Sequence, residues 1–233
     1  MRILYRAIFE PMVCYAAAVW FRTARLAHPK RSLRSAQRTV LLLVTKAFRT
    51  SPGCALPVLA GVLPIDILIE QRAREYLHRK ERLLVDGGKK RIRADAMTHW
   101  QSDWEAEPHG RRTFSVWPRV EDRMACTWIR LNFYLVQFLI GHGDFNAWRV
   151  TRGLAADGAC PDCGMDDTPD HAVFDCHVVH DNTQRLRQAV TEHGVMLTDP
   201  WQLMASNLAA FSLLSLHVRE VLQARVDLHP LYH

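Results

Sequence analysis

The chain has 233 residues, 48% of them hydrophobic, enough to bury a substantial core in one elongated or two small domains and to exclude a disordered tail. Its net charge of +6 hides a division, because residues 1–100 hold 19 Lys+Arg against 7 Asp+Glu while residues 101–233 hold 11 against 17. The longest uncharged apolar run, Pro11 to Phe21, is 11 residues, well short of the roughly 20 that cross a bilayer. Arg6, Glu10 and Pro11 interrupt the apolar stretch a secretory leader would need, so an intracellular protein with no membrane contact is expected.

In chain order, residues 3–26 read as a mostly apolar helix kinked near Pro11 and ended by the His28-Pro29 step. From Arg31 to Arg49 the pattern is amphipathic. Placed at about 100° per residue, Arg31, Arg34, Arg38, Lys46 and Arg49 share one stripe, and Leu33, Ala36, Val40, Leu43, Val44 and Ala47 fall opposite. Leu42 is the misfit among the basic residues. A run of charge is most often a solvated face, but no acidic residue lies between Arg31 and Arg49. Phosphate contact is therefore the expectation for this ridge.

Pro52, Gly53, Pro57, Gly61 and Pro64 predict a loop over 50–64 with at most one helical turn. A helix resumes at Asp66, runs to about Val85 and stops at Gly87-Gly88. Lys89, Lys90, Arg91 and Arg93 follow as a basic turn and a second candidate for phosphate contact. Trp100, Trp104, Phe114, Trp117 and Trp128 lie among Arg111, Arg112 and Arg119. Such interleaving can stack bases, although tryptophans are more often core anchors. A helix over 123–140 is stopped by Gly141-His142-Gly143, where His142 reads as a capping or packing residue, with no nucleophile or carboxylate pair beside it.

Cys160, Cys163, His171 and Cys176 then form C-x2-C-x7-H-x4-C, a spacing at which two thiolates grip one ion from a tight turn and a second pair closes a tetrahedron. Gly164 gives that turn its freedom. The expected cofactor is a structural zinc ion, with His177 and His180 near enough in sequence to replace a ligand. Cys14, Cys54 and Cys126 stand singly, as reduced thiols do in an intracellular protein. Asp166-Asp167 superficially matches a polymerase aspartate pair, but it sits among Pro161, Gly164 and Pro169 inside the metal loop, away from the rigid hairpin that two-metal chemistry needs. From Gly153 to Gln184 there is no Lys or Arg, while seven aspartates are present, so a phosphate would be repelled there. Two further helices are expected, about 181–194 and 200–226.

Three stretches carry a resemblance. Leu139-Ile140-Gly141-His142-Gly143-Asp144-Phe145, Cys160-Pro161-Asp162-Cys163-Gly164 and His171-Ala172-Val173-Phe174-Asp175-Cys176 together resemble the carboxyl-terminal region of Pol proteins of arthropod type-1, non-LTR retrotransposons. Gln37-Arg38 to Thr50 and Val58 to Asp66 resemble the segment after the reverse-transcriptase palm in those proteins. The resemblance implies a nuclear parent polyprotein that nicks DNA and copies RNA, an RNA-directed DNA polymerase and endonuclease needing magnesium. The palm and endonuclease are not expected within these residues, and this chain is expected to be a fragment without catalytic residues of its own. The expected fold is mainly α, a helical thumb-like region followed by a small zinc knuckle and terminal helices.

The expected parts are a basic helical region at 1–95, a Trp-rich helical connector at 96–150, the CCHC knuckle at 151–182 and terminal helices at 183–233. RNA and DNA, bound through the basic first 100 residues, and the rest of the Pol polyprotein are the expected partners. The competing reading is a zinc-stabilised adaptor that binds protein and has no nucleic-acid role.

Overall fold

The computed structural model describes residues 2–80, 88–194 and 207–228. Among these the chain is mainly α, and the only β feature is an isolated antiparallel bridge between Ala159 and Asp166. It divides into two compact units, one of residues 1–45 and 52–125, the other of residues 46–51 and 126–233. No helix of the described residues is long and apolar enough to cross a membrane.

In the first unit, Ile65–Lys80 is the central helix, packed by Ala17–Ala24, Ala27–Thr45 and Gly88–Ala106. Enclosure on several sides explains why Ile65, Asp66, Ile67, Leu68 and Ile69 are all buried in succession, a run that shows no amphipathic period. Ala55–Ala60 is also buried at every residue. The proline-rich segment expected as a loop is thus a core element, because Pro57 sits in the first turn, where its missing N–H costs nothing.

The amino-terminal helix departs from expectation at its break. Pro11 lies at the start of the helix Glu10–Val13, and the chain turns instead at Ala16, which adopts a left-handed conformation before Ala17–Ala24 begins. Pro29 lies in the first turn of Ala27–Thr45, so the His28-Pro29 step opens that helix.

That helix ends at Thr45, with Lys46 in a left-handed conformation at φ 61°. Its orientation is the larger correction. The buried residues are Gln37, Leu41 and Thr45, whereas Leu43 on the expected core face is 63% exposed. Polar anchoring outweighs the apolar stripe. The Gln37 amide donates to Tyr5 Oη at 2.8 Å and to the Leu63 carbonyl at 2.8 Å, and accepts from the Ile65 N–H at 3.0 Å. A buried side chain with every such group matched is costly to displace.

Lys89 to Arg93 lie in the first turns of Gly88–Ala106, not in a turn; the helix end expected at Val85 and Gly87 falls outside the described residues. Trp100, Trp104 and Trp117 are core anchors, each at most 2% exposed. Trp104 Nε1 donates to the Trp117 carbonyl at 2.9 Å. The helix expected over 123–140 is two, Val120–Ala125 and Phe133–Ile140. Asn132 divides them, its side chain accepting from the Leu135 N–H at 2.9 Å as an N-cap.

In the second unit, the terminal helix Leu208–Leu228 packs on Phe133–Ile140, on His180–Glu192 and on the short turn His171–Asp175. Residues 200–206, where that helix was expected to start, lie outside the described residues.

Candidate metal centre

The metal loop is built by backbone hydrogen bonds before any ion is considered. Cys160 N–H donates to the Met165 carbonyl at 2.7 Å, and Gly164 N–H to the Cys160 carbonyl at 2.9 Å. Gly164 takes φ +76°, where a side chain would be strained. This tight turn brings Cys160 and Cys163 to one side. The other pair comes from the π-helical turn His171–Asp175 and the residue after it. His171 N–H donates to Thr168 Oγ1 at 3.1 Å, and Cys176 N–H to the His171 carbonyl at 2.8 Å.

The ligand atoms of Cys160, Cys163, His171 and Cys176 all lie within 4.8 Å of one another. Cys160 and Cys176 sulfurs are 3.9 Å apart, Cys163 and Cys176 sulfurs 3.9 Å, and Cys163 Sγ is 3.1 Å from His171 Nε2. Disulfides would hold sulfurs at about 2.05 Å, whereas two metal–sulfur bonds of about 2.3 Å at a tetrahedral angle separate them by about 3.8 Å. The four residues fit a single ion and are compatible with zinc. His177 and His180 are exposed and do not join the group. Burial, with Cys160 and Cys163 alongside, pushes the Cys176 thiol up to about 12. A bound cation would supply the positive charge that lets such crowded sulfurs ionise.

The loop is fastened to its unit on two sides. Phe174 meets Phe138 edge-on at 5.7 Å and stacks on His217 at 5.6 Å, and His217 Nε2 lies 2.9 Å from the Val173 carbonyl. Burial holds His217 below its ordinary range, so it serves as a neutral packing residue. On the other side, Asp167 is fully buried and accepts from the Asn146 N–H at 2.6 Å and from the Arg225 guanidinium. Burial outweighs Arg225 and leaves the Asp167 carboxyl above its usual range. Asp166, by contrast, is exposed. The two aspartates thus have different environments, and Asp167 has a structural one.

Sequence reading missed Asp167 and Arg225 as a pair, because 58 residues separate them. It also gave no role to Arg123, only 1% exposed, which donates to the Leu59 carbonyl at 2.6 Å. In the Gly-His-Gly stop, Gly141 adopts φ 75° at the helix end, and a Cβ at Gly143 would stand 2.2 Å from Gln137 Oε1. His142 is stacked on Trp148 at 5.0 Å, and burial depresses its pKa, with Arg152 contributing in the same direction.

The candidate phosphate contacts divide. Arg31, Arg34 and Arg38 lie on the helix Ala27–Thr45 of the first unit, whereas Lys46 and Arg49 belong to the second unit. Arg34 Nε is 2.8 Å from Asp66 Oδ1 and its Nη2 is 2.7 Å from Asp103 Oδ2, while Lys30 lies 3.4 Å from Asp66. Burial alone would raise the Asp66 carboxyl, but Arg34 and Lys30 hold it below the usual carboxylate range. Arg34 therefore has a structural task whatever else it touches. Arg31, Lys46 and Arg49 are exposed, as are Lys89, Lys90, Arg91 and Arg93; Arg93 is 3.7 Å from Glu75.

A helical unit carrying a Cys3His cluster that could hold a metal ion, together with a basic helical unit, defines the class of chain. Comparison places it further. Over 190 residues the chain is 32% identical to the Retrovirus-related Pol polyprotein from type-1 retrotransposable element R1 4 of Nasonia vitripennis, covering 76% of this chain and 48% of that protein. It is 28% identical over 194 residues to the corresponding R1 polyprotein of Bradysia coprophila, covering 77% of this chain and 19% of that protein. The chain belongs with the Pol polyproteins of R1 type-1 retrotransposable elements, and it spans half or less of these relatives. No protein-family model matches it, and no solved structure does.

Proposed function

We propose that this chain is the nucleic-acid-holding, zinc-clipped part of an R1-type Pol protein, carboxyl-terminal to its reverse-transcriptase palm and acting in the nucleus. RNA or DNA is held through cations of the first 100 residues, and the rest of the polyprotein is the other partner. Polymerase and endonuclease chemistry, with its magnesium, belongs to the parent protein. Residues 1–95 are the basic region, 96–150 the Trp-rich connector, 151–182 the knuckle and 183–233 the terminal helices.

The observation that carries this reading is the start of the helix Gly88–Ala106. Lys89, Lys90 and Arg91 are exposed there, and the first turn contains no acidic residue. A helix amino terminus is the positive end of the backbone dipole and is stabilised by anions, so three cations at this end raise a local potential that a phosphate would relieve. Arg31 adds to the same unit's exposed basic surface.

The zinc ion would be held by Cys160, Cys163, His171 and Cys176, and its chemistry is structural, a cross-link between the turn and the Cys176 segment. Its acidic surroundings favour a clip over a phosphate reader. The test is a salt-dependent gel shift on RNA and DNA with Arg31→Glu, Lys89→Glu and Lys90→Glu combined. Arg34 is left intact because it holds Asp66. The expected result is weaker binding and a salt slope reduced by about one per lost phosphate contact; unchanged affinity and slope in a folded variant would defeat the assignment. An adaptor without a nucleic-acid role predicts no shift at physiological salt.

A further inference from the structure

The second unit has a cleft of about 250 Å³ between residues 128–132 and the first half of the helix Leu208–Leu228. It is smaller than the roughly 300–1,000 Å³ of pockets that enclose a whole organic ligand, and suits a side chain instead. Its walls are tied together in advance, because Asn132 Nδ2 donates to Ser215 Oγ at 3.0 Å. The rim is apolar and open to solvent, with Leu208 57% and Leu216 42% exposed. Two exposed cations, Arg130 and Arg219, complete it. Among the described residues the lining holds no acidic side chain, and Arg130 donates to the Thr127 and Ile129 carbonyls instead of to a carboxylate. An apolar rim beside two guanidinium groups is matched by an apolar side chain with a carboxylate next to it.

The chain displays such a group itself. Met165, at the turn of the metal loop, is 63% exposed, and Asp166 beside it is exposed too. The segment from Gly153 to Gln184 around them has no Lys or Arg, and a flexible thioether adapts to an irregular recess. We propose that Met165 and Asp166 of one copy dock in the Arg130 and Arg219 cleft of a second copy. Within one chain the loop is held away from this cleft. None of its residues line the cleft, and neighbouring Asp167 is anchored to Arg225, about 15 Å along the helix from Ser215 at about 1.5 Å per residue. Loop and cleft are different patches, so the contacts either close reciprocally in a pair or continue from copy to copy. One loop in one cleft is a small interface, and the association is weak and salt-sensitive. A nucleic-acid phosphate would use the arginines and leave the leucine rim in water. The proposal does not depend on the nucleic-acid reading above.

The test is sedimentation velocity of the full chain over a range of concentrations, with two variants. One reverses the cleft, Arg130→Glu with Arg219→Glu, and the other reverses the loop, Asp166→Arg; all three positions are exposed. The expected result is an average mass that rises with concentration in the unaltered chain, and an association constant at least about tenfold lower in each variant alone. Mixed in equal amounts, the two variants associate again, because the unaltered loop of the first meets the unaltered cleft of the second. Met165→Ala, which alters no charge, also weakens association. An unaltered chain that stays monomeric at the highest concentration reached would overturn the proposal. So would variants that associate as the unaltered chain does, or a mixture no more associated than its parts. A cleft variant that loses RNA affinity while self-association persists would overturn it too, by giving the cleft to phosphate.

Discussion

The two units solve one problem in opposite ways. Each contains a buried carboxylate gripped by an arginine distant in sequence, Asp66 by Arg34 in the first and Asp167 by Arg225 in the second. In the first, the arginine belongs to a basic stripe that sequence periodicity assigns to solvent. In the second, the aspartate belongs to an acidic loop whose sequence gives no sign that one of its carboxylates is buried. Charge on a helix or loop therefore does not say which face is buried; the partner does. The difference lies in what else closes each unit, a tryptophan core in the first and a four-ligand cluster in the second.

The sharpest way to break that comparison is to remove the cluster. Cys163→Ser should lose the single bound ion and unfold the second unit, since structural zinc supplies about 10–16 kcal/mol of apparent binding energy in small domains; metal analysis and hydrogen exchange resolved by unit would show it. The first unit should keep its protection. Asp167→Ala leaves Arg225, whose side chain is 10% exposed, without its counter-charge and should cost about 3 kcal/mol in chemical denaturation. Arg34→Met strands Asp66 in the same way. Its expected cost is smaller, about 2 kcal/mol, because the Arg34 side chain remains 37% exposed and solvent screens the pair.

Acidification separates the units by sign and by window. His142 has a depressed pKa in the fold, so the unfolded chain takes up a proton first and the second unit loses stability as pH falls below about 6.5. Asp66 also has a lowered pKa, and its contribution is present above about 3.9 and lost only below that. Denaturation curves at pH 7 and pH 5 should therefore show the second unit weakened and the first little changed. His142→Gln should reduce the response of the second, leaving the part due to His217, which burial also holds below its ordinary range.

What was legible in the sequence was whatever depends on short spacing. Cys160, Cys163, His171 and Cys176 occupy 17 consecutive positions, and the structure brings their ligand atoms together. The mainly α fold was legible too, as were the stop at Gly141 and the core role of the tryptophans. The facing of the helix Ala27–Thr45 was not. Its orientation is set by Gln37 reaching Tyr5, Leu63 and Ile65 and by Arg34 reaching Asp66 and Asp103, contacts 26 to 69 residues away. Hydrophobic periodicity carries no record of those. The buried run from Ala55 to Ala60 was hidden for a related reason, since proline and glycine mark a break in regular structure without showing whether the break is inside or outside.

The account assigns nucleic-acid grip to the cations of the first 100 residues and leaves the metal cluster a structural clip. Its most direct test is the salt dependence of RNA and DNA binding, measured on the full chain before and after metal removal by a chelator. After chelation, which unfolds the second unit, the slope should fall by no more than the two contacts that Lys46 and Arg49 of that unit could supply. A slope that collapses on chelation would contradict the account, because it would place the phosphate contacts in the metal-clipped unit.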